Sequence, residues 1–539
     1  MTFKEKNPDM KSNNKSTTIL STTKCNAKVT LIIYAVINII CASYVLLSKN
    51  FYYWSTAESW NIAIKIAQGA FYPNLWGEIY KSILSLEVNY LSALPSALFV
   101  LIFGQSRLVY ILSLANFYAA PIFILIYFMS KKIGKAPLVT LAMLFLTLPP
   151  IMYMVFMGFA EIGGVLIGLS CMYIYLCNNS NSSLKYIIIG VLLTFAIIWS
   201  HAFIFFTAAF VASMIIESII VKKSPQKAII TLSVIILILS LFFREYILTR
   251  IMTLYGGTSQ SLNVLANIKY LLRYIGLILL IALIIQSFKS FKNGFKDNII
   301  FLWSNIIVCF IALITTRTHG QLHILPYLPA VIVLCIISIK HIYNMRDLVI
   351  ASILSLSQII SVSIPRMQPT SVNDIKTYSL LPTFTIAAKS RSDYKDILKL
   401  KRKLDAIVWN GEYLGVLAYS DKLNPDLLNN SEISANHFSS RRDYIAFTIP
   451  YFDSEIPDIS PLCNANYMLV ATPLQSISDN QKILSSAAES FENNSDIAKA
   501  YELVENFTQN IDNIEVKLYK RVRTPSEYEK QKFLNKLAN

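Results

Sequence analysis

Charged side chains are scarce in this chain. They make up 15% of its 539 residues, whereas hydrophobic residues make up 54% and the mean hydropathy is +0.50. A soluble protein of this length would aggregate with so little charge, so the composition excludes that class. Apolar runs of roughly the 20 residues that cross a bilayer recur through positions 1–365. We therefore predict a polytopic α-helical membrane protein.

Acidic residues are scarcest in the same part of the chain. Residues 1–365 contain 10 Asp and Glu against 27 Lys and Arg, whereas residues 366–539 contain 22 against 21. Short cytoplasmic loops of membrane proteins collect Lys and Arg, which accounts for the net charge of +16. Membrane lipid is therefore an expected partner, and the charge gives no reason to expect a nucleic acid.

Cysteine pairs and glycine-rich loops are missing from the polar C-terminal region. Six of the seven cysteines lie in or beside apolar runs, which leaves Cys463 alone. The whole chain has 16 glycines, and no Gly-rich phosphate loop follows residue 365. Neither a disulfide framework nor a nucleotide site of that kind is expected.

The first apolar run, 29–48, follows a basic N-terminus and lacks a cleavage site, which predicts a retained anchor with its N-terminus inside. The stretch 89–103 is short and contains Pro95, which predicts an interfacial or re-entrant helix. The pair 186–200 and 202–220 has an alternative, one long kinked helix, which would invert every later span. With the anchor we predict about eleven spans of bilayer length, the others near 108–130, 137–157, 160–177, 186–200, 202–220, 228–243, 270–287, 299–315, 322–339 and 347–364.

The spans predict three parts of the chain: a cytoplasmic basic tail, a transmembrane domain with a long first outer loop, and an exported domain. Their bounds are 1–28, 29–365 with the outer loop at 49–107, and 366–539. The last part has strand-like runs at 413–420, 444–449, 467–472 and 516–521 and helical patterns at 393–408, 478–492 and 497–510. This alternation predicts a C-terminal soluble α/β domain. We expect a bacterial cytoplasmic (inner) membrane with that domain outside.

Five of the ten acidic residues of the membrane part lie on its predicted outer face, at Glu58, Glu78, Glu87, Glu161 and Glu245. Glu161 is flanked by apolar residues on both sides, where a carboxylate costs a few kcal/mol unless it is paired or used. The alternative is a structural charge at a helix start, which the helix dipole favours. Five outward carboxylates predict a functional site on this face.

Four segments in order resemble the GT-C superfamily, which includes the protein O-mannosyltransferases and the lipid A aminoarabinose transferases. They are AESWNIAIKIAQG (57–69), NYLSALPSALFVLIFGQSRLVYILS (89–113), SKKIGKAPL (130–138) and GFAEIGG (158–164). THGQLHILPYLPA (318–330) is similar to the His-containing helix start of some members. The resemblance implies a GT-C-like fold and a glycosyltransferase that uses a polyprenyl-phosphate sugar donor.

The resemblance also implies residue roles. An acid of the first outer loop binds the acceptor and acts as base, or helps to place a metal, and an acid after the third span completes the site. These positions match Glu58 and Glu161, which are also the candidate ligands if a divalent metal is the cofactor. Glu87 competes with Glu58, because relatives usually have Asp-Glu where this chain has Ala57 before Glu58. Relatives often have Arg at the position of Met157, so here another cation would have to bind phosphate.

The implied reaction needs a carboxylate that takes the proton of an acceptor hydroxyl and cations that hold the departing phosphate. No general acid is required, because phosphate leaves as a stable anion, unlike the sugar oxygen in a glycosidase. The acceptor is a glycan, lipid or protein on the outer face. The candidate phosphate-binding residues are Arg317, His319, Arg244 and Lys81.

Three other functions stay open. A lipid-linked saccharide polymerase or ligase shares the chemistry but does not account for the C-terminal domain. A membrane transporter would normally show ionisable residues near mid-span, paired broken helices and an internal repeat, and none of these is found. A non-catalytic relative that only binds glycolipid would fit the departure at Met157.

Overall fold

The computed structural model shows two compact units. The helical unit comprises Met1–Tyr44, Phe71–Ser96 and Ile111–Ala387, and the sheet unit comprises Val45–Ala70, Ala97–Tyr110 and Ala388–Asn539. The structure describes residues 10–52, 55–69, 74–84, 90–133, 149–177, 182–221, 224–242, 264–292, 296–316, 321–340, 345–363, 380–383, 386–388, 390–409, 411–434, 445–448, 458–476, 481–511 and 513–538.

The apolar part of the sequence folds into helices. Their bounds are α1 Met10–Leu47, α2 Ser55–Gln68, α3 Leu75–Leu84, α4 Tyr90–Phe103, α5 Arg107–Leu114, α6 Ala120–Ile133, α7 Gly163–Cys177, α8 Ser183–Trp199, α9 Phe203–Ile220, α10 Gln226–Phe242, α11 Val264–Ile275, α12 Leu277–Lys292, α13 Lys296–Thr316, α14 Leu328–Lys340 and α15 Met345–Ser363. A π-helical turn, Ala115–Ala119, joins α5 to α6, and 3₁₀ turns at Ala160–Ile162 and Gln321–Tyr327 precede α7 and α14.

Four stretches of the described helices are long and apolar enough to cross a membrane: Ala27–Leu47, Arg107–Ile133, Ala160–Cys177 and Phe203–Ile220. Six shorter apolar helices accompany them, at Tyr90–Phe103, Ser183–Trp199, Gln226–Phe242, Asn298–Ile314, His323–Ser338 and Ser352–Ser363. The total of about eleven spans of bilayer length stays a prediction.

The region 186–220 forms two helices, as predicted, and the alternative of one long helix is wrong. α8 ends at Trp199 because Ser200 has extended backbone angles, φ −155° and ψ 131°. α9 then begins at Phe203. An extended residue cannot continue the helical hydrogen-bond ladder, so the chain direction is free to change there.

Some polar side chains of the helical unit form hydrogen bonds that connect different helical segments. Asn38 of α1 and Asn116 of the π-helical turn exchange two amide hydrogen bonds of 2.9 Å. Ser113 Oγ donates to Ser96 Oγ at 2.8 Å. Such pairs connect helices in an apolar medium, where an unpaired amide or hydroxyl costs free energy.

The sheet unit contains one described five-stranded sheet with strand order β2-β1-β3-β5-β4. β1 is parallel to β2 and β3, whereas β5 is antiparallel to β3 and β4. The bounds of its elements are α16 Tyr394–Ile407, β1 Tyr413–Leu417, α17 Pro425–Ser434, β2 Ile445–Thr448, α18 Ser460–Asn464, β3 Tyr467–Thr472, α19 Lys482–Glu492, β4 Tyr501–Ile511, β5 Ile514–Arg521 and α20 Glu527–Ala538.

The four predicted strand runs form β1, β2, β3 and β5, but the helix predicted at 497–510 is wrong. A 3₁₀ turn, Asp496–Ala500, leads into strand β4 instead. The pairing of β4 with β5 shifts register after Leu503 and again after Phe507. Each shift breaks the two-residue alternation, so β4 lacks the regular period that identifies a strand in the sequence.

Apolar residues pack on both faces of the sheet. One cluster joins α16 and α17 to the strands through Leu404 and Leu427, and the other joins α19 and α20 through Phe491 and Phe533. Phe51, far from these elements in sequence, belongs to the first cluster and stacks on Tyr394 with ring centroids 4.6 Å apart. The start of the predicted outer loop is thus part of the sheet unit's core.

Candidate active site

A buried arginine holds the segment that leads into α2. Arg107 is 2% exposed, and its Nη1 donates to the carbonyl oxygens of Ser48 and Asn50, each at 3.2 Å. Its Nη2 donates to Ser48 Oγ at 3.0 Å, and the guanidinium lies 5.2 Å from the centroid of the Tyr52 ring. Bonds from one planar cation to three acceptors fix this segment.

A second set of contacts attaches α2 to α17. Trp60 Nε1 donates to Asn430 Oδ1 at 3.2 Å, and Asn430 Nδ2 donates to the Tyr52 carbonyl oxygen at 3.2 Å. Trp60 and Asn430 are both fully buried. The indole also meets the Tyr110 ring edge-on, at a centroid distance of 5.0 Å. The side-chain amide of Asn430 therefore bonds to Tyr52 before Glu58 and to Trp60 after it.

Glu58 lies in the first turn of α2 and points away from this buried side. Ala57 and Trp60 are fully buried, whereas Glu58 is exposed. Helical periodicity separates them, since positions 57, 60 and 64 share one face and position 58 lies about 100° around the helix from position 57. The acid predicted from the sequence as the base is thus held on a fixed helix, on the exposed side of that helix.

The Glu58 carboxylate interacts electrostatically with the phenol of Tyr419, a residue of the sheet unit. Burial raises the pKa of the Tyr419 phenol, and the carboxylates of Asp426 and Glu58 raise it further. Tyr419 follows β1, and its backbone N–H donates to the Gln475 carbonyl oxygen, after β3, at 2.7 Å. In the sheet, β2 lies on one side of β1 and β3 lies on the other, so the strand order reverses at β1. Open sheets bind ligands at the carboxyl ends of strands where the order reverses in this way.

Glu161 has different surroundings in the helical unit. It is half-buried in the 3₁₀ turn before α7, so the predicted helix start is confirmed. Trp199 Nε1 donates to the Ala160 carbonyl oxygen at 3.2 Å. Gly164 packs so closely on Phe203 that a Cβ would lie 2.2 Å from the ring. Glu161 also interacts electrostatically with Tyr118, whose hydroxyl donates to the Ser92 carbonyl oxygen at 3.0 Å.

The structure does not bring all predicted residues together. Glu58 belongs to the sheet unit and Glu161 to the helical unit, so their convergence stays a prediction. Lys81 is exposed and pairs with Glu78 at 3.2 Å within α3. In the described part of the chain, no group of three or more His, Cys, Asp or Glu side chains could hold a metal ion. Four predicted site residues lie outside the described residues: Glu87, Arg244, Arg317 and His319.

Arg273 of α11 is a cation that the predicted phosphate set omits. It is 4% exposed and interacts electrostatically with Tyr153. No described residue accepts a hydrogen bond from its Nε. A buried guanidinium with an unused donor is stabilised by an anion. In the sequence, Arg273 is one of several cations on the predicted outer face, and nothing in its local pattern distinguishes it from the others.

Comparison with known proteins identifies the architecture. No protein-family model and no curated protein sequence matches the chain. Its structure is similar to the crystal structure of ArnT from Cupriavidus metallidurans bound to undecaprenyl phosphate, with a TM-score of 0.53 and 9% sequence identity. The similarity covers 92% of this chain and 98% of ArnT.

The fold is GT-C-like. The fold prediction is confirmed at this level, and together with the apolar helices it makes the chain an integral membrane protein. An identity of 9% shows the fold alone, because one fold can host different reactions. The roles of individual residues therefore depend on this chain's own contacts.

Proposed function

We propose that the chain is a glycosyltransferase that moves a sugar from a polyprenyl-phosphate donor to an acceptor on the outer face of the membrane. The observation that carries this proposal is the fold similarity to ArnT, whose structure contains undecaprenyl phosphate, across nearly the full length of both chains. The C-terminal domain faces outward in this proposal and guides the acceptor or the carrier.

Glu58 is the proposed base. Its carboxylate takes the proton of the acceptor hydroxyl while that oxygen attacks the sugar carbon and the carrier phosphate leaves. Three features support this role: Glu58 is exposed, Trp60 and Asn430 fix its helix, and the helix lies beside the carboxyl ends of β1 and β3. Glu161 is proposed to orient the acceptor.

The departing phosphate needs cations. Arg273 is the best supported of them, because its guanidinium is buried and its Nε has no described acceptor. Arg317, His319 and Arg244 stay candidates from the sequence. Lys81 is weaker, since its ammonium already pairs with Glu78 at the surface. Cations at the leaving group stabilise the charge that develops in the transition state.

The test is genetic complementation read by mass spectrometry of surface glycans. Deletion of the gene should remove one sugar from a glycan, and the wild-type gene should restore it. Glu58→Gln should fail to restore it, whereas Glu78→Gln should succeed, because Glu78 is a matched exposed acid in the first turn of α3. Membrane levels of each variant are compared by immunoblot.

Four outcomes would contradict the proposal. Restoration by Glu58→Gln with failure of Glu87→Gln would assign the base to Glu87. Restoration by both would refute the carboxylate mechanism. A change in glycan chain length would indicate a polymerase or ligase, and an unchanged glycan profile with altered solute uptake would indicate a transporter.

A further inference from the structure

Three lysines meet at the C-terminal end of α7, the end opposite Glu161. Lys132 of α6 donates to the Cys177 carbonyl oxygen at 3.4 Å, and Lys185 of α8 donates to the Tyr175 carbonyl oxygen at 3.0 Å. Lys227 of α10 lies within electrostatic reach of Lys185. We call Lys132, Lys185 and Lys227 the lysine cluster. All three belong to the helical unit.

Close packing of α8 on α10 brings two of these cations to one ring. The Nζ atoms of Lys185 and Lys227 each lie 5.6 Å from the centroid of the Tyr186 ring. Gly190 permits this approach, since a Cβ there would lie 2.8 Å from Val234 Cβ and 3.0 Å from the Thr231 carbonyl oxygen. The helix contact therefore holds two like charges near each other.

The local charge is unbalanced. Glu217 of α9 interacts with Lys185, and Tyr175 donates to its Oε2 at 2.6 Å. Three ammonium groups against this one carboxylate leave two positive charges among these four residues. Lys185 is only 7% exposed, so water screens its repulsion from Lys227 weakly. Binding of an anion would relieve this repulsion.

Apolar side chains beside the lysine cluster identify the kind of anion. On α8, Leu184 is 63% and Ile188 is 41% exposed, and on α10, Ile229 is 56% and Leu232 is 40% exposed. These residues lie within two turns of Lys185 and Lys227. A free phosphate ion needs only the cations, whereas a phospholipid also places acyl chains on such a surface.

We propose that the lysine cluster binds the phosphate headgroup of an anionic phospholipid, with its acyl chains along the exposed faces of α8 and α10. This site is separate from the candidate active site, because α7 has 15 residues and so spans about 22 Å between Glu161 and the cluster. It does not depend on the proposed function.

The test is native mass spectrometry of the detergent-solubilised full chain titrated with phosphatidylglycerol or with zwitterionic phosphatidylcholine. Wild type should bind phosphatidylglycerol more tightly. Lys185→Gln/Lys227→Gln should lose roughly 30-fold in that affinity, the expected sum for two lysines near a lipid headgroup. Lys132→Gln/Lys227→Gln spares the buried Lys185 and keeps the test valid if the first variant fails to fold.

The control is Lys289→Gln/Lys292→Gln, which removes two exposed lysines from the last turn of α12. Its affinity for phosphatidylglycerol should match wild type. Equal losses in control and cluster variants would show general surface attraction and overturn the proposal. Displacement of the lipid by millimolar inorganic phosphate would also overturn it, because the site would then recognise the free anion.

Discussion

The two candidate acids are held in place by different physical means. In the sheet unit, α2 and its Glu58 depend on hydrogen bonds between residues 370 or more positions apart, Trp60 to Asn430 and Asn430 to Tyr52. In the helical unit, the turn that carries Glu161 depends mainly on the close packing of Gly164 on the Phe203 ring, beside one hydrogen bond from Trp199 to Ala160. A polar network specifies one geometry because each unmet partner is costly, whereas packing specifies it through shape.

Substitution of the two acids should have its largest effect on catalysis. Glu58→Gln should lower the turnover number by about 10²- to 10⁴-fold, as expected for loss of a general base. Glu161→Gln should instead raise KM for the acceptor, since this acid is proposed to orient it. Steady-state kinetics with purified protein separate the two. Full activity together with improved membrane insertion in Glu161→Gln would make Glu161 a structural helix-start charge.

The sequence predicted features that depend on local pattern. The membrane class, the helix start at Glu161 and the strands β1, β2, β3 and β5 follow from hydropathy and periodicity. It missed β4, because two register shifts disguise its alternation. It also missed the roles of Arg107, Asn430 and Tyr419, since their contacts exist only after distant segments pair.

The packing beside Glu161 can be disrupted by placing a larger side chain at Gly164. Gly164→Val should destabilise the helical unit by about 1–3 kcal/mol, the usual cost of overpacking. The reason is that its Cβ would lie 2.2 Å from the buried Phe203 ring. Thermal unfolding in detergent measures the effect. Ser170→Ala on the same helix is the control, because Ser170 is half-buried and bonds within α7. Equal melting of both variants would refute the packing argument.

The polar network can be broken by removing its central amide. Asn430→Ala should cost about 1–3 kcal/mol, because the buried Trp60 indole N–H loses its acceptor. Hydrogen exchange of the full chain should then accelerate in α2 and leave the helical unit unchanged. Asn535→Ala, at an exposed position of α20, should leave α2 as in wild type. Unchanged protection of α2 in Asn430→Ala would show that the network does not position Glu58.

The smallest effect concerns an ion pair within the sheet unit. Arg523 donates to both carboxylate oxygens of Glu529, at 2.7 and 2.6 Å, and lowers the pKa of Glu529 to about 2. A lowered carboxyl pKa stabilises the fold above the ordinary value of 4.5, and this contribution is lost as the pH falls from there toward 2. Arg523 is half-exposed, so solvent screening keeps the effect small.

Glu529→Gln should therefore melt below wild type at pH 7, and the difference should shrink between pH 4.5 and 3. Glu527→Gln, at an exposed carboxylate of the same helix, should follow wild type at every pH. A constant difference between Glu529→Gln and wild type across this range would mean that α20 is held by the packing of Phe533 and not by the charge of Glu529.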